Sequence, residues 1–214
     1  MFLAKILLVL EWMSFIAGLC SLNKLEKDGR FIIWFLGAVV LSETVGLLAW
    51  DFIDRSHVVG FNKAWFNIML PVQFACLLIL FYKKTRVGYW RVAITGFIGI
   101  LLFVFVLQFL TGNLKELNTF NHTLGSVFIS ACSLHYLFEL MNSENIEEVI
   151  RDPFLYISIG LLLFYLGALP FRSMRTYLYV EHRNIFWVYY YLFFGFDYFL
   201  YSIITFAFLW AKKK

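Results

Sequence analysis

Seven apolar runs, separated by short charged connectors, leave this chain of 214 residues few folds to choose from. They lie at 2–22, 31–53, 64–82, 92–112, 119–141, 154–174 and 185–211. A helix needs about 20 apolar residues to cross the roughly 30 Å hydrocarbon core of a bilayer, whereas a barrel strand needs only about 9–11. Each run suits a helix and overshoots a strand. Hydrocarbon offers no partner to an open backbone, so a helical bundle is the structure that satisfies every buried amide. The expected fold is all-α: a polytopic bundle of seven transmembrane helices, one integral membrane domain over 1–214. Composition agrees. The chain is 62% hydrophobic and 15% charged, against about 45–50% and about 25% in soluble domains. An ordinary soluble enzyme is excluded, and so is a disordered chain.

Lys and Arg set the expected orientation. One face carries Lys5, Arg55, Lys63, Lys115, Arg172, Arg175 and Arg183. The other carries Lys24, Lys27, Arg30, Lys83, Lys84, Arg86, Arg91, Arg151, Lys212, Lys213 and Lys214, the larger share of the 18 cations. Basic residues favour the cytoplasmic side, so the N-terminus is expected outside and the C-terminus in the cytoplasm. The net charge of +4 sits in these connectors and is not a nucleic-acid footprint. The basic 83–91 connector reads first as an orientation signal, with contact to anionic lipid as a second use. The expected surroundings are membrane lipid.

Motifs for chemistry are scarce. Cys20, Cys76 and Cys132 fall inside apolar runs without CxxC spacing, which argues against a disulfide framework or a zinc site. His122 with the connector residues His57 and His182 makes a weak metal signature; no metal and no cofactor is expected. His135 and Glu139 stand four apart on one helical face and read as a local ion pair, since HExxH is absent. The last run has no lysine before Lys212, which excludes a retinal Schiff base. Pro71 and Pro170 are expected to kink their helices, and Gly37, Gly46, Gly96 and Gly99 to admit close helix neighbours. Phe186, Trp187, Tyr189, Tyr190 and Tyr191 read as an interfacial aromatic belt.

Polar groups inside the runs carry the most information. An ionisable side chain at mid-bilayer costs about 2.5–3.5 kcal/mol on insertion scales and usually faces a partner or cavity. Glu11, Glu43, Asp51, Asn67, Gln73, His122, Tyr165, Arg172 and Asp197 are the candidates, most of them toward the outer half. One reading is a polar pocket open to the outside, in which Glu11, Glu43 and Asp197 share a cavity with Asn67, Gln73 and Tyr165. The other is interhelical hydrogen bonding that only holds the bundle together.

The stretches SVFISACSLHYLFELM, RDPFLYISIGLLLFYLGAL and DYFLYSIITFAFLW, with VQFACLLILFYK and LSETVGLLAW in the first half, resemble an uncharacterised family of small seven-helix inner-membrane proteins of Bacteroidota-type bacteria. That family often lies near sensor-kinase and regulator genes. It usually carries Glu where this chain has Gln73 and Gly125, and more often Asn at the position of Asp197. The resemblance implies a membrane fold and no particular reaction. Three kinds of function follow as expectations. The first is a sensory or accessory protein working with a membrane partner such as a sensor kinase. The second is a small proton- or cation-coupled transporter, and the third a structural subunit of a membrane complex. A lipid-modifying enzyme would need a nucleophile–base pair, and none is recognisable.

Overall fold

The computed structural model of the protein describes residues 2–112, 119–142 and 146–210. Its helices are α1 (Phe2–Cys20), α2 (Phe31–Phe52), α3 (Arg55–Lys84), α4 (Gly88–Leu110), α5 (Thr119–Met141), the short α6 (Ile146–Arg151), α7 (Pro153–Glu181) and α8 (Arg183–Trp210). A 3₁₀ turn over Lys27–Arg30 leads into α2. Among the described residues there is no strand. Seven of the helices, all but α6, are long and apolar enough to cross a membrane. The protein is an all-helical, multi-pass membrane protein. The NLKELN linker with its Lys115, residue 211 of the last run, and Lys212, Lys213 and Lys214 lie outside the described residues.

Several boundaries differ from the hydropathy reading, among them the start of α4, at Gly88 and not at 92. α3 starts at Arg55, so residues 55–63 are helix and not connector. α7 continues to Glu181 and α8 begins at Arg183, leaving His182 alone between them. Hydropathy registers only the length of helix that is apolar, whereas backbone hydrogen bonding carries a helix on through polar residues. The 29 residues of α7 extend about 43 Å at 1.5 Å per residue, well beyond a hydrocarbon core of about 30 Å. Pro71 and Pro170 lie inside α3 and α7, which run on past them. α7 starts where its local sequence says it should. Pro153 takes the first helical position, where no amide is needed, and the Asp152 carboxylate caps the helix by accepting from the Phe154 amide at 3.0 Å. The other Asp152 oxygen accepts from the Tyr136 hydroxyl at 2.9 Å, tying α7 to α5.

The end of the bundle that holds the start of α1 and the turns at 53–54 and 182 is called upper here. The turns at 21–30, 85–87 and 142–152 form the lower end. α7 packs most extensively, against α8 and α5; α2 pairs with α3, and α1 bridges α8 and α2. α4 is peripheral and buries only Ile94, Phe97 and Leu101. The lower half is dense and apolar. Ile32, Leu36, Leu77, Leu78, Ile129, Ile157, Leu161 and Phe208 are all fully buried there.

Close helix approach occurs mostly at other glycines than the expected ones. A Cβ at Gly37 or Gly46 would press on Phe15 or Phe66, but Gly96 and Gly99 of peripheral α4 face open space. The tightest crossings are Gly125 under the Phe74 ring, Gly160 against Ile203 and Gly167 under the Phe196 ring. Gly125 lets α3 and α5 meet through Phe74, so a larger side chain there has nowhere to go unless that ring moves.

Candidate functional site

The inward placement of polar groups follows from their cost in lipid. Three carboxyls and a guanidinium exposed to hydrocarbon would cost about 2.5–3.5 kcal/mol each, comparable in sum to the whole stability of a typical domain. Helix rotations that turn them inward are strongly favoured. Glu11 is 2% exposed and Asp197 4%, while Tyr165 and Tyr201 are buried with them; Glu43 is half-buried.

These groups meet. Glu11, midway along α1, faces the Tyr201 side chain of α8 and interacts electrostatically with Glu43 and Asp197. Arg172 of α7 acts on Asp197, Glu43, Tyr165 and Tyr201. Four helices therefore deliver charge to one region, which runs from mid-depth toward the upper end. The cluster holds three carboxyls against one guanidinium. Among the described residues no carboxylate oxygen of Glu11, Glu43 or Asp197 lies within 4.0 Å of the Arg172 nitrogens. The guanidinium is instead held by neutral groups. It donates through Nη1 to the His122 ring on α5 and lies over the rings of Phe164 and Phe193, 5.0 and 4.9 Å from their centroids. Such cation–π contacts strengthen as water is excluded. Because guanidinium only donates, the His122 nitrogen facing it must carry a lone pair. Nδ1 lies 3.2 Å from the same Nη1 and 3.3 Å from Ser126 Oγ. Phe74 meets both His122 and Tyr165 edge-on or tilted, with centroids 5.8 and 5.9 Å apart, and forms a floor under this part of the cluster. One carboxylate oxygen, Glu11 Oε2, is buried without a hydrogen bond.

A neutral hydrogen-bond frame fixes the helices that carry these charges. Ser14 Oγ lies 2.7 Å from both the Tyr201 carbonyl and Thr205 Oγ1, joining α1 to α8 one turn below Glu11. Trp65 Nε1 donates to the Ser42 carbonyl at 3.1 Å, and Asn62 Nδ2 to the Gly46 carbonyl at 3.1 Å, so α3 grips α2 on either side of Glu43. Trp12 Nε1 reaches Thr44 at 3.3 Å. Ser14, Thr205 and Tyr201 carry no charge and escape a search for ionisable residues; their signal is hydroxyls at helical spacing opposite a buried acid.

The remaining candidates fall on both sides of this boundary. Asn67 is buried in α3 and Gln73 half-buried one to two turns below it. Asp51 is exposed in the last turn of α2, away from the cluster. His57 bonds to neighbouring Ser56 at 2.9 Å, and His182 lies beside Tyr177, so neither joins His122. Among the described residues no group of three or more His, Cys, Asp or Glu side chains is placed to hold a metal. At the lower end His135 Nε2 and Glu139 Oε1 make the contact their spacing suggests, at 2.9 Å. Glu139 also accepts from Thr85 Oγ1 at 2.8 Å and from the Arg86 amide at 3.3 Å, so it pins the α3–α4 turn onto α5. Comparison with protein-family models, with curated proteins and with solved structures gave no match.

Proposed function

We propose that this protein is a sensory or accessory component of a bacterial inner membrane, N-terminus outside and C-terminus in the cytoplasm. In this reading the charged cluster receives a small polar or cationic ligand from the outer side. Its occupancy is passed to a membrane partner such as a sensor kinase. The observation that carries the reading is the unpaired state of the cluster: three carboxyls and an arginine converge without a direct ion pair, and a buried Glu11 oxygen has no hydrogen bond. Interhelical adhesion alone is better served by closed pairs, because a charge buried without its partner weakens a bundle. The dense apolar packing of the lower half supports a site entered from one end over a path through the molecule. The gene setting of the resembling family supports a signalling partner. A second reading, proton- or cation-coupled transport, is favoured by the excess of carboxyls over cations near mid-depth.

The test compares wild type with Glu43→Gln, which keeps shape and removes charge, after affinity purification from native membranes. A membrane partner that co-purifies with wild type, and whose activity changes with Glu43→Gln at unchanged thermal stability, supports the sensory reading. The same partner activity in both, with only a lower melting temperature in the variant, contradicts it. Ion flux through proteoliposomes that Glu43→Gln abolishes would establish the transport reading instead.

A further inference from the structure

At the lower end of the bundle, far from the charged cluster, the α3–α4 turn and the end of α5 enclose an open groove of about 550 Å³. Its lining includes Arg86, Tyr89, Trp90, Phe138 and Glu139. The wall is mostly ring and hydrocarbon. Trp90 stacks on His135 with centroids 4.5 Å apart, which fixes the indole as one side. Beyond the groove α4 and α5 present Val92, Leu134 and Phe138, 74%, 59% and 64% exposed, as they would to acyl chains. The opening therefore lies where a membrane-spanning surface meets its polar boundary.

The charges sort cleanly. Glu139 is spent on His135, Thr85 and the Arg86 amide. Lys84 is paired with Glu26 at 2.9 Å. Arg91 donates through Nε and Nη2 to the Thr85 carbonyl, so its guanidinium braces the turn. The Arg86 side chain is exposed and makes no side-chain hydrogen bond or ion pair among the described residues. Lys83, in the last turn of α3, is exposed and does not line the groove. An exposed guanidinium over an aromatic, lipid-facing groove matches the two ends of one molecule: a phosphate with acyl chains attached.

We propose that this groove binds an anionic phospholipid, its phosphate on Arg86, its glycerol and first methylenes against Tyr89, Trp90 and Phe138. Basic pockets between membrane helices hold such headgroups, and each Lys or Arg near the surface strengthens the attraction about fivefold. The proposal does not depend on what the upper cluster does.

The experiment is native mass spectrometry of the purified full chain titrated with phosphatidylglycerol, with phosphatidylethanolamine, or with inorganic phosphate. Wild type should retain one phosphatidylglycerol at several-fold lower concentration than phosphatidylethanolamine. Arg86→Gln should weaken retention about fivefold with an unchanged melting temperature. Lys24→Gln, an exposed lysine at the same end outside the groove, should bind as wild type does. Should Arg86→Gln not fold, Arg86→Ala is expected to weaken retention about fivefold. Equal retention of the two lipids, an unaffected Arg86→Gln, or an equal loss in Lys24→Gln would overturn the proposal. Displacement of the lipid by millimolar inorganic phosphate would assign the site to free phosphate and overturn the lipid as occupant.

Discussion

The lower and upper halves of this bundle are built on opposite terms. The lower half is mostly apolar, with Leu36, Leu77, Leu78, Ile129, Ile157, Leu161 and Phe208 fully enclosed. Most of its polar side chains are hydrogen-bonded: Ser130 donates to the Ser126 carbonyl at 2.8 Å, Tyr136 to Asp152 and Ser21 to the Phe208 carbonyl, while Ser133 Oγ is buried without a partner. The upper half gathers Glu11, Glu43, Asp197 and Arg172 and leaves their charges unpaired by direct contact. In lipid, apolar packing gains little from burial alone, since the outside is as apolar as the inside. The lower half therefore holds by shape and close contact, and the upper half by a polar network that hydrocarbon cannot satisfy. A bundle needs only the first device to stay assembled. The second, being costly, points to function.

That contrast breaks first in the lower half. Phe208 is fully buried between α1 and the core and presses on Gly18. Phe208→Ala should cost about 3–5 kcal/mol of stability, read by unfolding in bicelles, the largest loss of any single truncation here. A loss below about 1 kcal/mol would mean the lower half is loosely packed and the comparison misdrawn. The glycines give the next effect. Gly125→Ala places a methyl inside the Phe74 ring and should cost about 1–3 kcal/mol, recovered in part by Phe74→Leu. Gly99→Ala, facing open space, should be neutral or stabilising by under about 1 kcal/mol. Equal effects at the two glycines would contradict the α3–α5 contact.

How much of this was readable in the sequence depends on which half is considered. Seven helices follow from the length of the apolar runs. Which apolar residues point inward does not, because lipid and core look alike to a side chain. Trp34 is 70% exposed beside Phe35 at 2%, and Leu209 is 70% exposed beside a fully buried Phe208, with nothing in either pair to tell them apart. Polar residues break that symmetry: Glu11, Asn67, Asn121 and Asp197 are all buried, as their cost in hydrocarbon requires. Asp51 is the exception, and its place in the last turn of α2 explains it, since the helix end reaches the polar boundary. The clamp of Ser14, Thr205 and Tyr201 and the capture of Arg172 by His122, Phe164 and Phe193 depend on helix rotation and pairing. Neither can be read from one sequence.

The smaller expected effects sharpen the upper half. Arg172→Lys keeps the charge but loses the planar contact with Phe164 and Phe193. It should lower stability by about 1–2 kcal/mol, while Arg172→Gln, which strands the carboxyls, should cost more. Should both cost the same, the charge of Arg172 has no part in the network. Smaller still, Asp51→Asn should leave stability within about 0.5 kcal/mol of wild type, since that side chain is exposed outside the cluster.

The central claim is that Glu11 and Asp197, on helices at the two ends of the chain, belong to one network. A double-mutant cycle of Glu11→Gln and Asp197→Asn, read as unfolding free energy in bicelles, tests it directly. Groups in one network couple by about 0.5–3 kcal/mol, whereas independent sites add within about 0.3–0.5 kcal/mol. The account predicts a coupling of at least about 1 kcal/mol; strict additivity of the two substitutions would contradict it.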